Sequence, residues 1–208
     1  MQLISRLSSS FIILIHYVNG LIFAPYKTLR KVARENDKLQ LLIIFVLVYL
    51  YFIYANIIRS RTIHPFIISA KTSANIFFFI LTFFLVTGFF YIAAVILLPR
   101  QQQYRAYLNT FAYSLLPTYL WFIVTSTLYL ILPPPRTASF PGLALSGIFF
   151  IFSLTVFFWR INLLYLSVRF SSKMSFYQII FVLVIFSFWF IPYCYFLYQL
   201  KLFRIPFI

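Results

Sequence analysis

Residues Ala74–Leu98 read ANIFFFILTFFLVTGFFYIAAVILL, with no charged side chain anywhere in the run. As a helix this stretch is roughly 37 Å long, and a bilayer's hydrocarbon core is ~30 Å thick, so that ~20 apolar residues suffice to cross it. The run lacks the polar–apolar alternation of a membrane barrel strand. It reads as a transmembrane helix. Four other stretches repeat the pattern: Leu39–Ile58, Ala106–Leu132, Gly142–Val168 and Phe176–Leu200. The intervening loops, Arg59–Ser73, Pro99–Arg105, Pro133–Pro141 and Arg169–Ser175, are basic or proline-bearing and too short to fold as domains.

The composition agrees. Of 208 residues, 63% are hydrophobic and 9% charged, against ~25% charged in soluble domains. A soluble fold could not hide that much apolar surface, and a disordered chain would be polar. The expected fold is all-α: residues 39–208 form a five-helix membrane bundle, and residues 1–38 form an interfacial and basic amphipathic segment.

Phe11–Phe23 is apolar but too short to span, and His16, Asn19 and Gly20 interrupt it. It reads as an interfacial or re-entrant segment, with a signal peptide as the alternative. Pro25 then opens a helix, as proline does at a first turn. Lys27, Arg30, Lys31, Arg34 and Lys38 lie on one broad side of it, and Tyr26, Leu29, Val32 and Ala33 on the other. Such a helix suits an anionic leaflet, at ~1 kcal/mol per basic residue near the surface. Lys27, Arg30, Lys31 and Arg34 are therefore candidate lipid or partner contacts.

Charge sets the orientation. With the N-terminus inside, the inner flanks carry Arg6, Lys27, Arg30, Lys31, Arg34, Lys38, Arg100, Arg105, Arg169 and Lys173. The outer flanks carry the shorter set Arg59, Arg61, Lys71, Arg136, Lys201 and Arg204. The positive-inside rule then places the N-terminus in the cytoplasm and the C-terminus outside.

The only acids are Glu35 and Asp37. The spans hold no carboxylate, which excludes paired-carboxylate catalysis, proton relays and calcium cages there. His16 and His64 have no ligand at metal spacing, Cys194 is the only cysteine, and no phosphate loop or nucleophile elbow appears. No metal or cofactor is expected. Basic charge spread over membrane flanks points to lipid headgroups, with no nucleic acid.

Residues 109–118 read NTFAYSLLPT. Tyr113-Ser114-x-x-Pro117 resembles the Tyr-Ser/Gly-x-x-Pro signature at the start of the third span in Yip1-domain proteins. Residues 23–35, FAPYKTLRKVARE, resemble the short prologue of prokaryotic members of that family. The resemblance covers residues 11–200. It implies five spans, a cytoplasmic N-terminus, a prokaryotic cell membrane and a non-enzymatic scaffold or accessory subunit.

Pro117 deprives the third helix of one backbone donor and kinks it, and Thr110, Ser114 and Thr118 are near enough to re-satisfy the backbone. The bend is either a hinge or a static shape. Pro192, in the fifth span, poses the same choice. Arg160 follows the apolar run Leu143–Trp159, and Arg169 is ~13 Å further along. Either the fourth span ends near Trp159–Arg160, or Arg160 lies inside hydrocarbon at a cost of ~3 kcal/mol. In the second case its partners are carbonyls, lipid phosphate, water or an acid on another protein, which makes Arg160 a further candidate contact. Ala138-xxx-Gly142-xxx-Ser146 fits a small-residue helix contact. The abundant phenylalanines, such as Phe149-Phe-Ile-Phe152, read as packing and lipid-facing filler.

The functions compatible with this pattern are a membrane scaffold or accessory subunit, a permease-type subunit of a transporter complex, and a lipid-modifying enzyme. The last lacks an acid, metal or activated nucleophile. The expected partners are anionic lipids and other membrane subunits or a second copy.

Overall fold

The computed structural model describes residues 2–35, 37–60, 65–98, 103–131 and 140–200. Among them are eight helices and no strand: α1 (Gln2–Phe23), α2 (Pro25–Val32), α3 (Lys38–Ser60), α4 (Pro65–Leu97), α5 (Tyr104–Ser114), α6 (Leu116–Ile131), α7 (Phe140–Ser172) and α8 (Phe176–Gln199). Helices long and apolar enough to cross a membrane cover Leu39–Ile58, Thr72–Leu97, Tyr104–Ile131, Gly142–Ser172 and Phe176–Gln199. The five expected spans are present, the third built from α5 and α6 together. Ala138, Ser139, Arg136, His64, Arg100 and the residues after Leu200 lie outside the described residues.

Three boundaries depart from expectation. First, α1 is helical from Gln2, well before Phe11. Second, the basic helix expected over Pro25–Lys38 stops at Val32. The chain unwinds there through tighter turns, Arg34 N–H to the Lys31 carbonyl (2.9 Å) and Glu35 N–H to the Val32 carbonyl (3.1 Å). Asp37 then opens α3. Its Oδ1 accepts the Leu39 N–H at 2.9 Å, satisfying a first-turn donor that the helix cannot. Lys38 therefore belongs to α3 and not to the basic helix. Third, α7 runs unbroken from Phe140 through Trp159 and Arg160 to Ser172, past the expected end at Val168.

The turn after α7 shows its cause in sequence. Lys173 takes φ 58°, the left-handed conformation that commonly ends helices, and its N–H reaches the Arg169 carbonyl at 3.0 Å. Ser175 then starts α8, its N–H bonded to Gln178 Oε1 at 2.9 Å, as in a capping box.

Lipid is as apolar as leucine, so helices associate in it through packing and polar contacts. Both are present. Phe90 meets Phe111 at 5.2 Å and Phe186 at 4.9 Å between ring centroids, and such pairs contribute ~0.5–1.5 kcal/mol each. Tyr51–Ser126 (3.2 Å), Asn56–Thr72 (2.9 Å), Thr82–Tyr193 (2.8 Å), Trp121–Ser153 (2.9 Å) and Thr110–Ser171 (2.8 Å) tie neighbouring helices. Only 6% of the most apolar stretch of the fourth span is buried within the chain, against 28% in each of the others. Its phenylalanines are correspondingly outward: Phe150, Phe157 and Phe158 are exposed. α8 keeps its helical run through Pro192.

A second core lies at the end where α2, α5 and the end of α7 meet. Leu14 and Leu21 of α1, Leu29 and Val32 of α2, Tyr113 of α5 and Leu163 and Leu166 of α7 are buried together. α1 and α2 thus form a helical hairpin docked on the bundle. Gly20 permits their close approach, since a Cβ there would meet Thr28 Oγ1 at 2.5 Å.

Candidate functional site

The docked hairpin and the break in the third span form one continuous polar site. α5 supplies its centre because nearly all of it is buried, including Asn109, Thr110, Tyr113 and Ser114. Polar groups withdrawn from water this far need partners, and each has one.

On the hairpin side, the Tyr113 hydroxyl donates to Gln40 Oε1 at 2.7 Å. Gln40, 2% exposed, donates weakly to Asp37 Oδ2 at 3.4 Å, and Ser10 donates to the same oxygen at 2.6 Å. Tyr17 of α1 packs edge-on against Tyr113 with centroids 5.8 Å apart, and its hydroxyl donates to Glu35 Oε2 at 2.7 Å. Asn109 donates to the Glu35 backbone carbonyl at 2.9 Å. The Asp37 side chain thus ties α1 to the start of the first span, and the Glu35 side chain ties α1 to the segment after α2, whose backbone carbonyl holds the third span.

Burial, and then the hydrogen bond to Glu35, push the Tyr17 hydroxyl up to about 12. A tyrosine whose folded value is raised contributes stability that is complete below the unfolded value of ~10 and is lost as pH rises through the folded value. Docking of the hairpin is therefore expected to weaken between pH ~10 and about 12. Amide exchange across α1 in the intact chain checks this. Tyr17→Phe should show weaker docking at neutral pH and no added loss from this group on alkalinisation.

On the bundle side, α5 ends at Ser114, Leu115 turns, and α6 resumes at Leu116. Pro117 is the cause: it brings no N–H, and its ring disfavours a helical bond to the residue four positions earlier. Arg160 of α7 closes the break. Its Nη1 donates to the Ser114 carbonyl and, at 2.5 Å, to Ser114 Oγ. Ser114 Oγ itself donates to the Phe111 carbonyl at 2.8 Å. Arg160 is 7% exposed and its Nε is buried without a partner.

The structure thus separates the candidate residues into two groups. Tyr113, Ser114, Pro117 and Arg160 converge on the break. Arg160, expected as a lipid or partner contact, is turned inward onto a carbonyl and a hydroxyl of its own chain. Lys27, Arg30, Lys31 and Arg34 stay on the surface, all exposed. Their helix is reversed relative to expectation on its apolar side: Leu29 and Val32 have no exposure because they face the bundle. The apolar surface offered outward comes instead from α1, where Phe11, Ile12, Ile15, Ile22 and Phe23 are exposed. Pro192 is distant in sequence and exposed on α8. Sequence reasoning missed Tyr17, Gln40 and Asn109 as site residues. A glutamine just inside an apolar span, three residues from an isolated acid, was the available signal.

Among the described residues no group of three or more His, Cys, Asp or Glu side chains is placed to hold a metal ion. The family model described as the Yip1 domain matches residues 19–199. The hydrogen bonds from Ser10 and Tyr17 thus originate just before the matched region and end within it. No curated protein and no solved structure matches the chain.

Proposed function

The chain belongs to the Yip1 domain family, whose members are membrane-associated and not known as enzymes, and from that premise we propose that it is a non-enzymatic membrane scaffold or accessory subunit. It associates with other membrane proteins or shapes the bilayer, with the α1–α2 hairpin as its working surface. The observation that carries this is the hairpin's two-sided display. Lys27, Arg30, Lys31 and Arg34 project from a helix anchored by Leu29 and Val32, beside the outward apolar side chains of α1. A basic, apolar-flanked surface held rigidly at one end of a bundle inserts into one leaflet and recruits anionic headgroups.

Reversing all four charges to Glu tests it. These side chains are exposed, so the variant should melt like the native protein; it is compared in detergent, because the reversal also removes the Lys/Arg excess that sets orientation on insertion. Anionic lipid retained on the purified chain should fall roughly 10²–10³-fold, as four contacts of ~1 kcal/mol imply. Retention unchanged by the reversal counts against the hairpin. Solute transport by the chain reconstituted alone would move the assignment to a permease-type subunit.

Orientation in a prokaryotic cell membrane belongs to the same proposal, with the hairpin end cytoplasmic and the C-terminus outside. The hairpin, the start of α5 and the end of α7 share one end, which gathers Lys27, Arg30, Lys31, Arg34, Arg105, Arg169 and Lys173. With buried Cys194 replaced by Ala, single cysteines at Ser9, Gln103 and Ser139 report it. Only the one at position 139 should react with an impermeant reagent from outside. Ser172 is unsuited to this labelling because it is fully buried.

A further inference from the structure

A cavity of about 30 Å³ lies beside the helix break. Phe79, Phe83 and Val86 of α4 form one wall, Phe111 and Leu115 another, and Arg160 closes it from α7. The other polar group on its lining is Thr82. That hydroxyl donates to the Phe78 carbonyl at 2.7 Å and is joined to the Tyr193 hydroxyl at 2.8 Å, so it brings no spare proton. The Arg160 Nε–H has no acceptor among the described residues.

We propose that this cavity binds one small inorganic anion of halide size against the Arg160 guanidinium. Three features point to it. The Arg160 charge is buried, and the groups it touches, the Ser114 carbonyl and hydroxyl, are neutral. Both side-chain carboxylates of the protein are bonded elsewhere, Glu35 to Tyr17 and Asp37 to Ser10 and the Leu39 N–H. A buried charge without a counter-charge is expensive in a low-dielectric interior, and water solvates it without neutralising it. The remaining lining, Phe79, Phe83, Val86, Phe111 and Leu115, is apolar and supplies no competing acceptor for Arg160. Size permits it. A water needs about 10–15 Å³ of such space, and the cavity has room for a halide beside Arg160.

The test uses the full chain purified in detergent. Chloride is exchanged for gluconate at constant ionic strength, and melting temperature and the chloride NMR linewidth are followed. Anion binding to the native state alone raises stability with concentration. Melting should fall by about 3–6 °C in gluconate, recover with bromide, and saturate in halide. The protein should broaden the chloride line, and bromide should reverse the broadening. Val86→Phe fills the cavity while keeping Arg160, and should remove both effects. Equal melting in chloride and gluconate with an unbroadened line overturns the proposal and leaves water in the cavity. Halide dependence that survives intact in Val86→Phe also overturns it, because the effect then belongs to the exposed basic flanks.

Discussion

Arg160→Glu is expected to abolish recovery of folded protein, and Arg160→Leu to have a far smaller effect. The native guanidinium donates to two oxygens of Ser114. Hydrogen bonds from a charged donor contribute ~1.5–3 kcal/mol each. Glutamate removes them and aims an unpaired carboxylate at a carbonyl, in a site where burying an ion costs several kcal/mol. Native folds in general are stable by only ~5–15 kcal/mol, so a loss of ~5 kcal/mol can exhaust the margin. Leucine behaves differently because two terms oppose each other. It forfeits the bonds to Ser114, and it also relieves the ~2.5–3.5 kcal/mol that an arginine costs at the centre of a span. Arg160→Leu should therefore insert and accumulate, but with faster amide exchange around Ser114–Tyr119. Monodisperse yield and melting temperature of the two variants, measured side by side, check the order. Equal stability of Arg160→Glu and the native chain would show that residue 160 reaches the headgroups and does not close the break.

Tyr113→Ala is expected to undock the hairpin. Tyr113 is 3% exposed and joins the buried cluster of α1, α2 and α7. Truncating a buried aromatic ring costs ~3–5 kcal/mol. The loss of its hydroxyl also leaves Gln40 Oε1 without its donor, at ~1–3 kcal/mol for a buried acceptor. The edge-on contact with Tyr17 disappears as well. Protease cleavage near Ala24 should become rapid while the spans stay protected, since the aromatic core around Phe90 and Phe186 does not include Tyr113. Tyr113→Phe separates the terms: it keeps the ring, loses only the hydrogen bond, and should sit between the native chain and Tyr113→Ala. If all three resist cleavage equally, docking does not depend on Tyr113 and rests on the other buried side chains of the cluster and the hydrogen bonds of Asp37 and Glu35.

These effects rest on a site that was partly legible in sequence. Tyr113, Ser114 and Pro117 stood out as a short motif, and Arg160 as a charge in an apolar run. Their relation did not, because residues 114 and 160 meet only when α5 and α7 pack. The acids are the clearest case. Glu35 and Asp37 excluded carboxylate chemistry from the spans, yet their use, mooring Tyr17 and Ser10, depends on α1 folding back over the start of α3.

The number and class of the spans were determined by sequence alone, and their boundaries to within a few residues. The reason is local: an unpaired backbone cannot cross ~30 Å of hydrocarbon except as a helix, and only a continuous apolar run can supply one. Which side of each helix faces protein was decided by the tertiary structure. Lipid and protein interior are both apolar, so hydropathy does not distinguish them. Leu29 and Val32 fit a leaflet as well as a bundle, and only the packing of α2 on α5 and α7 selects the bundle. The inward orientation of Arg160 was decided the same way, by the Ser114 carbonyl and hydroxyl that the break at Pro117 presents to α7.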